Sequence, residues 1–172
     1  MKANIYFFLF LLLSTMFIAC KKDKIAYKND FNRSYDAWIS FKAASGNSYR
    51  YTVNAGSWTG SSSATTITVK EGKVIQRAYI AKVRERSNGP LQTVEEWTEE
   101  AGSLGSHAEG YTLRTLDDIY QEAKDNWLLK RSNADTFFES KNNGMISGCG
   151  YVENGCQDDC FRGITISLIE RI

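Results

Sequence analysis

Along residues 29–172 the spacing of apolar positions changes period several times, and each change marks an element. Phe31, Tyr35, Trp38 and Ile39 or Phe41 recur at three to four residues, after Asn29 or Asp30 as a possible cap and before Gly46 as a stop. That spacing predicts an amphipathic helix. From Ser48 to Ala55 the period falls to two, with Tyr49, Tyr51, Val53 and Ala55 on one face and Arg50, Thr52 and Asn54 on the other. Such alternation is that of a half-buried strand. A Gly/Ser loop over 56–63 leads to a second strand over 65–70, and Glu71-Gly72 predicts a tight turn into a third over 73–83. After the break at Ser87-Asn88-Gly89-Pro90, Leu91 to Thr98 reads as a fourth strand with Leu91, Thr93 and Trp97 partly buried. Glu95, Glu96, Glu99 and Glu100 make helix the alternative there, and as neighbouring acids they read as a solvated face rather than a glycosidase carboxylate pair.

The second half repeats this order. A small-residue loop over 102–110 precedes Thr115, which with Asp118 forms a capping box, and Leu116, Ile119, Tyr120, Ala123 and Trp127 keep helical spacing behind it. A strand over 136–140, the turn Asn142-Asn143-Gly144, a Cys/Gly-rich segment and a closing strand over 163–172 follow. Helices separated by runs of hairpin-linked strands predict an α+β fold, an antiparallel sheet with two helices packed on one face. The shared element order hints at an internal duplication, although no residue-level repeat accompanies it.

Residues 1–19 follow none of these periods. Lys2 is their only charge, Ile5 to Leu13 is unbroken apolar chain, and the stretch is too short to span a bilayer. Phe17-Ile18-Ala19-Cys20 resembles the lipobox of bacterial lipoproteins, which implies that residues 1–19 are a signal peptide and that Cys20 is lipidated with acyl chains of the palmitate type. Residues 20–28 are then the lipidated Cys and a spacer, and 29–172 a single domain held off the membrane. Several chains anchor far better than one. An Asp directly after the Cys resembles an inner-membrane retention signal in Gram-negative lipoproteins. Lys21 stands there instead, so the expected location is the outer membrane, lipid-anchored, facing either the periplasm or the cell surface.

Composition changes the picture in two ways. The 42% hydrophobic content is inflated by the leader, and of 21 basic and 20 acidic residues only Lys2 falls in it, so the remainder is neutral. A neutral chain lacks the basic excess that nucleic acid requires. One His in the whole sequence excludes HExxH proteases and His-rich zinc sites. Ser106-His107 lies in a small-residue loop without a nucleophile elbow, and reads as an exposed histidine of no special role rather than a catalytic base.

Trp38, Tyr49-x-Tyr51, the turn marked by Val69, Gly72 and Val74, and the helix start Thr115-Leu116-Asp117-Asp118-Ile119-Tyr120 together resemble a family of small bacterial lipoproteins catalogued only as a domain of unknown function. The resemblance covers roughly residues 34–172 and implies no catalytic residue. The arrangement also looks like the helix-plus-sheet modules of secreted inhibitory domains, including the β-lactamase-inhibitor type, an analogy of architecture alone.

Chemistry then reduces to a few candidates. With Cys20 acylated, Cys149, Cys156 and Cys160 remain in an oxidising compartment, so one disulfide and one odd thiol is the minimal account, with Cys149–Cys160 and Cys156–Cys160 both open. Three thiolates with His107 would make a zinc set, but an oxidising location and the 42 positions between His107 and Cys149 weigh against it; Glu153, Asn154, Asp158 and Asp159 could form a calcium loop, but their spacing fits no known pattern, and no metal or cofactor is expected. Trp58, between Gly56-Ser57 and Thr59-Gly60, and Tyr151 and Phe161 beside the cysteines are the candidate ligand-binding aromatics. The expectation is a non-catalytic lipoprotein that binds a protein or peptide, with a glycan-binding accessory lipoprotein as the alternative.

Overall fold

The computed structural model describes residues 24–84 and 89–172; the expected signal peptide and lipidation site, residues 1–19 and Cys20, and Ser87-Asn88 of the central break lie outside the described residues. Two helices and seven strands follow one another as α1 (Lys28–Ala44), β1 (Tyr49–Gly56), β2 (Ser62–Lys70), β3 (Lys73–Arg84), β4 (Leu91–Glu100), α2 (Leu116–Glu122, prolonged by a π-helical turn Ala123–Trp127), β5 (Ala134–Glu139), β6 (Gly148–Glu153) and β7 (Arg162–Arg171). The strands form one antiparallel sheet in the order β4-β3-β2-β1-β7-β6-β5. It is therefore an α+β fold, in which a four-stranded and a three-stranded meander meet where β1 pairs with β7.

The start of the fold differs from the sequence expectation. Lys24 to Ala26 already belong to it: Ile25 bridges Leu129, Ala26 N–H donates to Leu128 O at 2.7 Å, and Lys130 N–H donates to Lys24 O at 2.9 Å. Tyr27 then takes a left-handed backbone, φ 54°, and α1 begins at Lys28 without a side-chain cap. Neither Asn29 nor Asp30 caps it, because the pairing to 128–130 fixes where the chain must turn. Phe31, Ser34 and Trp38 form the buried face of α1, while Tyr35 and Ile39 stay exposed.

The capping box of α2 forms as expected: Thr115 Oγ1 accepts from Asp118 N–H, and Thr115 N–H donates to Asp118 at 2.8 Å. The expected α-helical run to Trp127 is interrupted at Ala123, where the chain widens into the π turn that buries Trp127 and Leu128. The Glu71-Gly72 turn places both residues at positive φ, 50° and 79°, the geometry of a two-residue hairpin.

The Cys/Gly-rich segment, to which the sequence pattern assigns no element of its own, holds strand β6. Gly150 lies opposite Gly163. A Cβ at Gly163 would sit 2.1 Å from Cys149 O, and one at Gly150 would meet Phe161 at 2.6 Å, so only glycine allows these backbones to approach.

Buried tyrosines tie helices to sheet. Tyr49 Oη accepts from Leu116 N–H at 2.9 Å, and Tyr51 Oη donates to Arg114 O at 2.6 Å. Tyr120 Oη donates to Ser34 O and accepts from Ile146 N–H. Burial pushes the Tyr120 phenol up to about 12, so the hydroxyl stays a neutral donor.

Candidate binding groove

Alternation puts Tyr49, Tyr51, Val53 and Ala55 of β1 on one face. Trp38 packs edge-on against Tyr49 at 5.1 Å and closes that face at the start of the strand, whereas Ala55 at its far end is exposed. The cross-strand row through Ala55, Ser63 and Ala81 floors an open groove of about 630 Å³. The side chains in this row are small, which leaves room above the sheet. Tyr79 and Tyr111 stand on one side of it, and Phe161 with Asp159 and Cys160 on the other. A smaller recess of about 280 Å³ continues it past Thr65 and Gly110.

Two loops shape the rim. Cys156 and Cys160 are joined by a disulfide, the tighter of the two open pairings. Asp158, inside that loop, accepts from Trp58 Nε1 at 3.1 Å, which links the β1–β2 loop to the β6–β7 loop across the mouth. Trp58 is 82% exposed beside the groove, and Phe161, 46% exposed, lines it. Tyr151 is not brought to the groove: the Arg131 guanidinium lies 3.7 Å over its ring, so its face is taken.

Cys149 is a fully buried free thiol on β6, not a disulfide partner. Burial pushes it up to about 12, which removes the thiolate that nucleophilic or metal chemistry needs. His107 binds to β4, five strand spacings from β6 in the sheet order, or roughly 24 Å. The Cys149–His107 pair and the zinc set are thereby excluded. Among the described residues no three His, Cys, Asp or Glu side chains gather as a metal would require. With Cys20→Ser removing the first thiol, the folded protein is expected to take up no maleimide. Unfolding without reductant should expose one thiol and reduction should expose three, counted by mass; labelling of Cys149 in the folded state would contradict its burial.

Glu99 corrects the expectation of a solvated acidic face, although Glu96 and Glu100 are exposed, and His107 is exposed as expected but bonded to it. Glu99 is fully buried and receives both Arg77 Nε, at 2.9 Å, and Nη2, at 2.7 Å. It also accepts from the backbone N–H of Gly105 and His107. Its contact with Arg77, aided by those N–H groups against the cost of burial, holds the carboxyl far below the usual range. His107 Nδ1 lies 3.1 Å from Glu99, its ring stacked on Trp97 at 4.1 Å, and Trp97 stacks in turn on Tyr79 at 5.0 Å. Arg77 also donates to His107 O and Tyr111 O.

A carboxylate behind an imidazole is how a base is oriented in hydrolases. Here, however, Ser106 Oγ meets the same Nδ1 and the same Glu99 oxygen. A nucleophile would have to stand at the far nitrogen, so the cluster ties the 101–111 loop down onto the sheet beside the groove. The signal for it was present in the sequence: Arg77 is in phase with Tyr79 on β3, and Glu99 with Trp97 on β4.

No family model matches the chain, and neither a curated protein nor a solved structure matches it significantly.

Proposed function

We propose that the protein is a membrane-anchored extracytoplasmic lipoprotein of the outer membrane, acylated at Cys20, whose domain is a non-catalytic module that binds a protein or peptide segment. The observation that carries this reading is the groove itself. It continues the core face of the sheet beyond the helices, is floored by Ala55, Ser63 and Ala81, and is bordered by Tyr79, Tyr111 and Phe161. Aromatic rings around a small-residue floor suit a partner's anchoring side chain. The placement of both helices on one face fits the same picture, since Trp38 of α1 and Leu116 of α2 both reach Tyr49. The resemblance to small lipoproteins without catalytic residues agrees with a binding role, as does the internal saturation of Glu99 and Arg77.

A photo-crosslinking residue at Ala81, in the anchored protein in intact cells, tests this. A reproducible protein adduct is expected, and Ala81→Phe, which fills the floor, should weaken capture by roughly tenfold or more. A second reading, glycan binding, is favoured by one observation: Trp58 is exposed among Ser57, Thr59 and Ser61, the company a sugar-stacking ring keeps. Capture of polysaccharide alone would decide for it and against the protein partner.

A further inference from the structure

Acylation at Cys20, part of the reading above on which this inference rests, becomes a strict geometric constraint once the fold is known. Three residues, Lys21, Lys22 and Asp23, separate Cys20 from Lys24. Lys24 is already fixed through Lys130, and the next two residues through Leu128 and Leu129. A fully extended chain covers at most about 3.6 Å per residue, so the Cα of Lys24 stays within about 14 Å of the Cα of Cys20. The acylated residue sits at the headgroup level. The domain is therefore not held off the membrane; whichever end carries Lys24 rests on it.

Sheet register identifies that end. Lys130 precedes β5, whose first residue Ala134 pairs with Glu153, the last of β6, and Asn154 N–H donates to Asn133 O at 2.8 Å. The disulfide loop begins there, and its Asp158 holds Trp58. Gly56 and Ser62, flanking the Trp58 loop, pair with each other and onward with Lys82, so that loop is at the same end of its own strands. Of the exposed aromatics among the described residues, Tyr27, Tyr35, Trp58, Phe137 and Phe161, both Trp58 and Phe161 belong to the end that carries Lys24.

We infer that this end of the domain lies on the lipid headgroup surface, with Trp58 in the headgroup layer and the groove mouth turned toward the bilayer. An indole with an apolar body and a bonded N–H is the side chain that membrane interfaces favour. Charge here leans basic, Lys24, Lys82, Arg84, Lys130, Arg131 and Arg162 against Glu153, Asp158 and Asp159. The contact follows from the short tether and the indole in zwitterionic lipid, and anionic lipid would add to it. The partner in the groove is accordingly one met at the membrane surface.

The test uses the acylated full chain in phosphatidylcholine vesicles whose acyl chains carry bromine close to the headgroup. Trp38 and Trp127 are buried and Trp97 lies beneath His107, so Trp58 is the ring that lipid reaches. Bromolipid quenching of tryptophan emission is expected, unchanged at high salt and lost in Trp58→Phe. A flexible insert of about ten Gly/Ser residues between Asp23 and Lys24 should reduce it while leaving acylation intact. Vesicle-bound, acylated protein whose Trp58 is quenched by aqueous iodide but not by bromolipid would overturn the apposition alone. Protection of Trp58 only after a crosslinked partner is present would assign the ring to that partner and overturn it equally. Purified protein without acyl chains would overturn the anchor and this inference together, and mass measurement separates that outcome from the others.

Discussion

Arg77→Met is expected to destabilise the domain by about 3 to 5 kcal/mol, because it removes the counter-ion of a carboxylate that has no route to water. Glu99 would keep its bonds from Gly105, Ser106 and His107, but the buried negative charge would stand without the guanidinium that lies 2.7 and 2.9 Å from it. The 101–111 loop would also lose the two carbonyl contacts of Arg77, at His107 and Tyr111, so Tyr111 should loosen at the groove edge. Urea denaturation at pH 7 followed by circular dichroism measures the loss. The double replacement Arg77→Met with Glu99→Leu should recover much of it, since removing both charges also removes the desolvation cost. A single variant within about 1 kcal/mol of the parent, with loop amides still protected from exchange, would sink the assignment.

The same pair sets an acid limb. The folded carboxyl of Glu99 is depressed below its unfolded value of about 4.3, so its stabilisation is fully present above that value. It is lost progressively as pH falls through the folded value. Thermal melts of the parent should therefore drop on acidification below about pH 5. Without Arg77 the carboxyl is less strongly held ionised, so the decline should be shallower in Arg77→Met, from a lower starting point.

How much of this was legible in the chain can be judged from individual residues. Period alone located β1, and Thr115 with Asp118 located the start of α2, because both signals are local and no tertiary contact overrides them. Strand β6 escaped because Gly150 and Gly163 are unfavourable in strands in isolation, and their purpose shows only when the two backbones are seen to meet. Glu99 escaped because four acids within six residues look solvated; on a strand, however, alternation turns every second one inward, and Arg77 was waiting in phase on the neighbouring strand. For His107 a loop of small residues carries no periodicity, so its stacking on Trp97 had no local signal. The Gly and Ser neighbours of Trp58 allow its exposure without requiring it, since such a ring can equally fold back over a sheet edge. The groove beside it was not legible, since it is assembled from β1, β2, β3, Tyr111 and the segment after the disulfide loop.

That division between a covered and an uncovered part of one sheet face makes the second large expectation informative. Trp38 is fully buried where α1, α2 and β1 meet: its ring stacks on Tyr120 at 6.2 Å, stands edge-on to Tyr49 at 5.1 Å, and its Nε1 donates to Asp117 at 3.0 Å. Asp117 also receives Lys42 at 2.7 Å, so one carboxylate links both helices through a ring and an ammonium. Trp38→Ala should cost about 3 to 5 kcal/mol, combining lost burial with a cavity that two helices and a strand cannot easily close. Trp38→Phe keeps most of the ring and loses the N–H to Asp117, and should cost about 1 to 2 kcal/mol. Circular dichroism in urea is the suitable probe, because the substitution removes a fluorophore. The groove floor at Ala55, Ser63 and Ala81 lies toward the other end of the same strands, so folded Trp38→Phe should still be captured by a crosslinker at Ala81 as the parent is. Ala81→Phe should show the converse, weakened capture with an unfolding midpoint close to the parent's. Loss of capture in Trp38→Phe at full helicity would mean that the covered end and the groove are one coupled unit, and that the recognition surface extends beneath the helices.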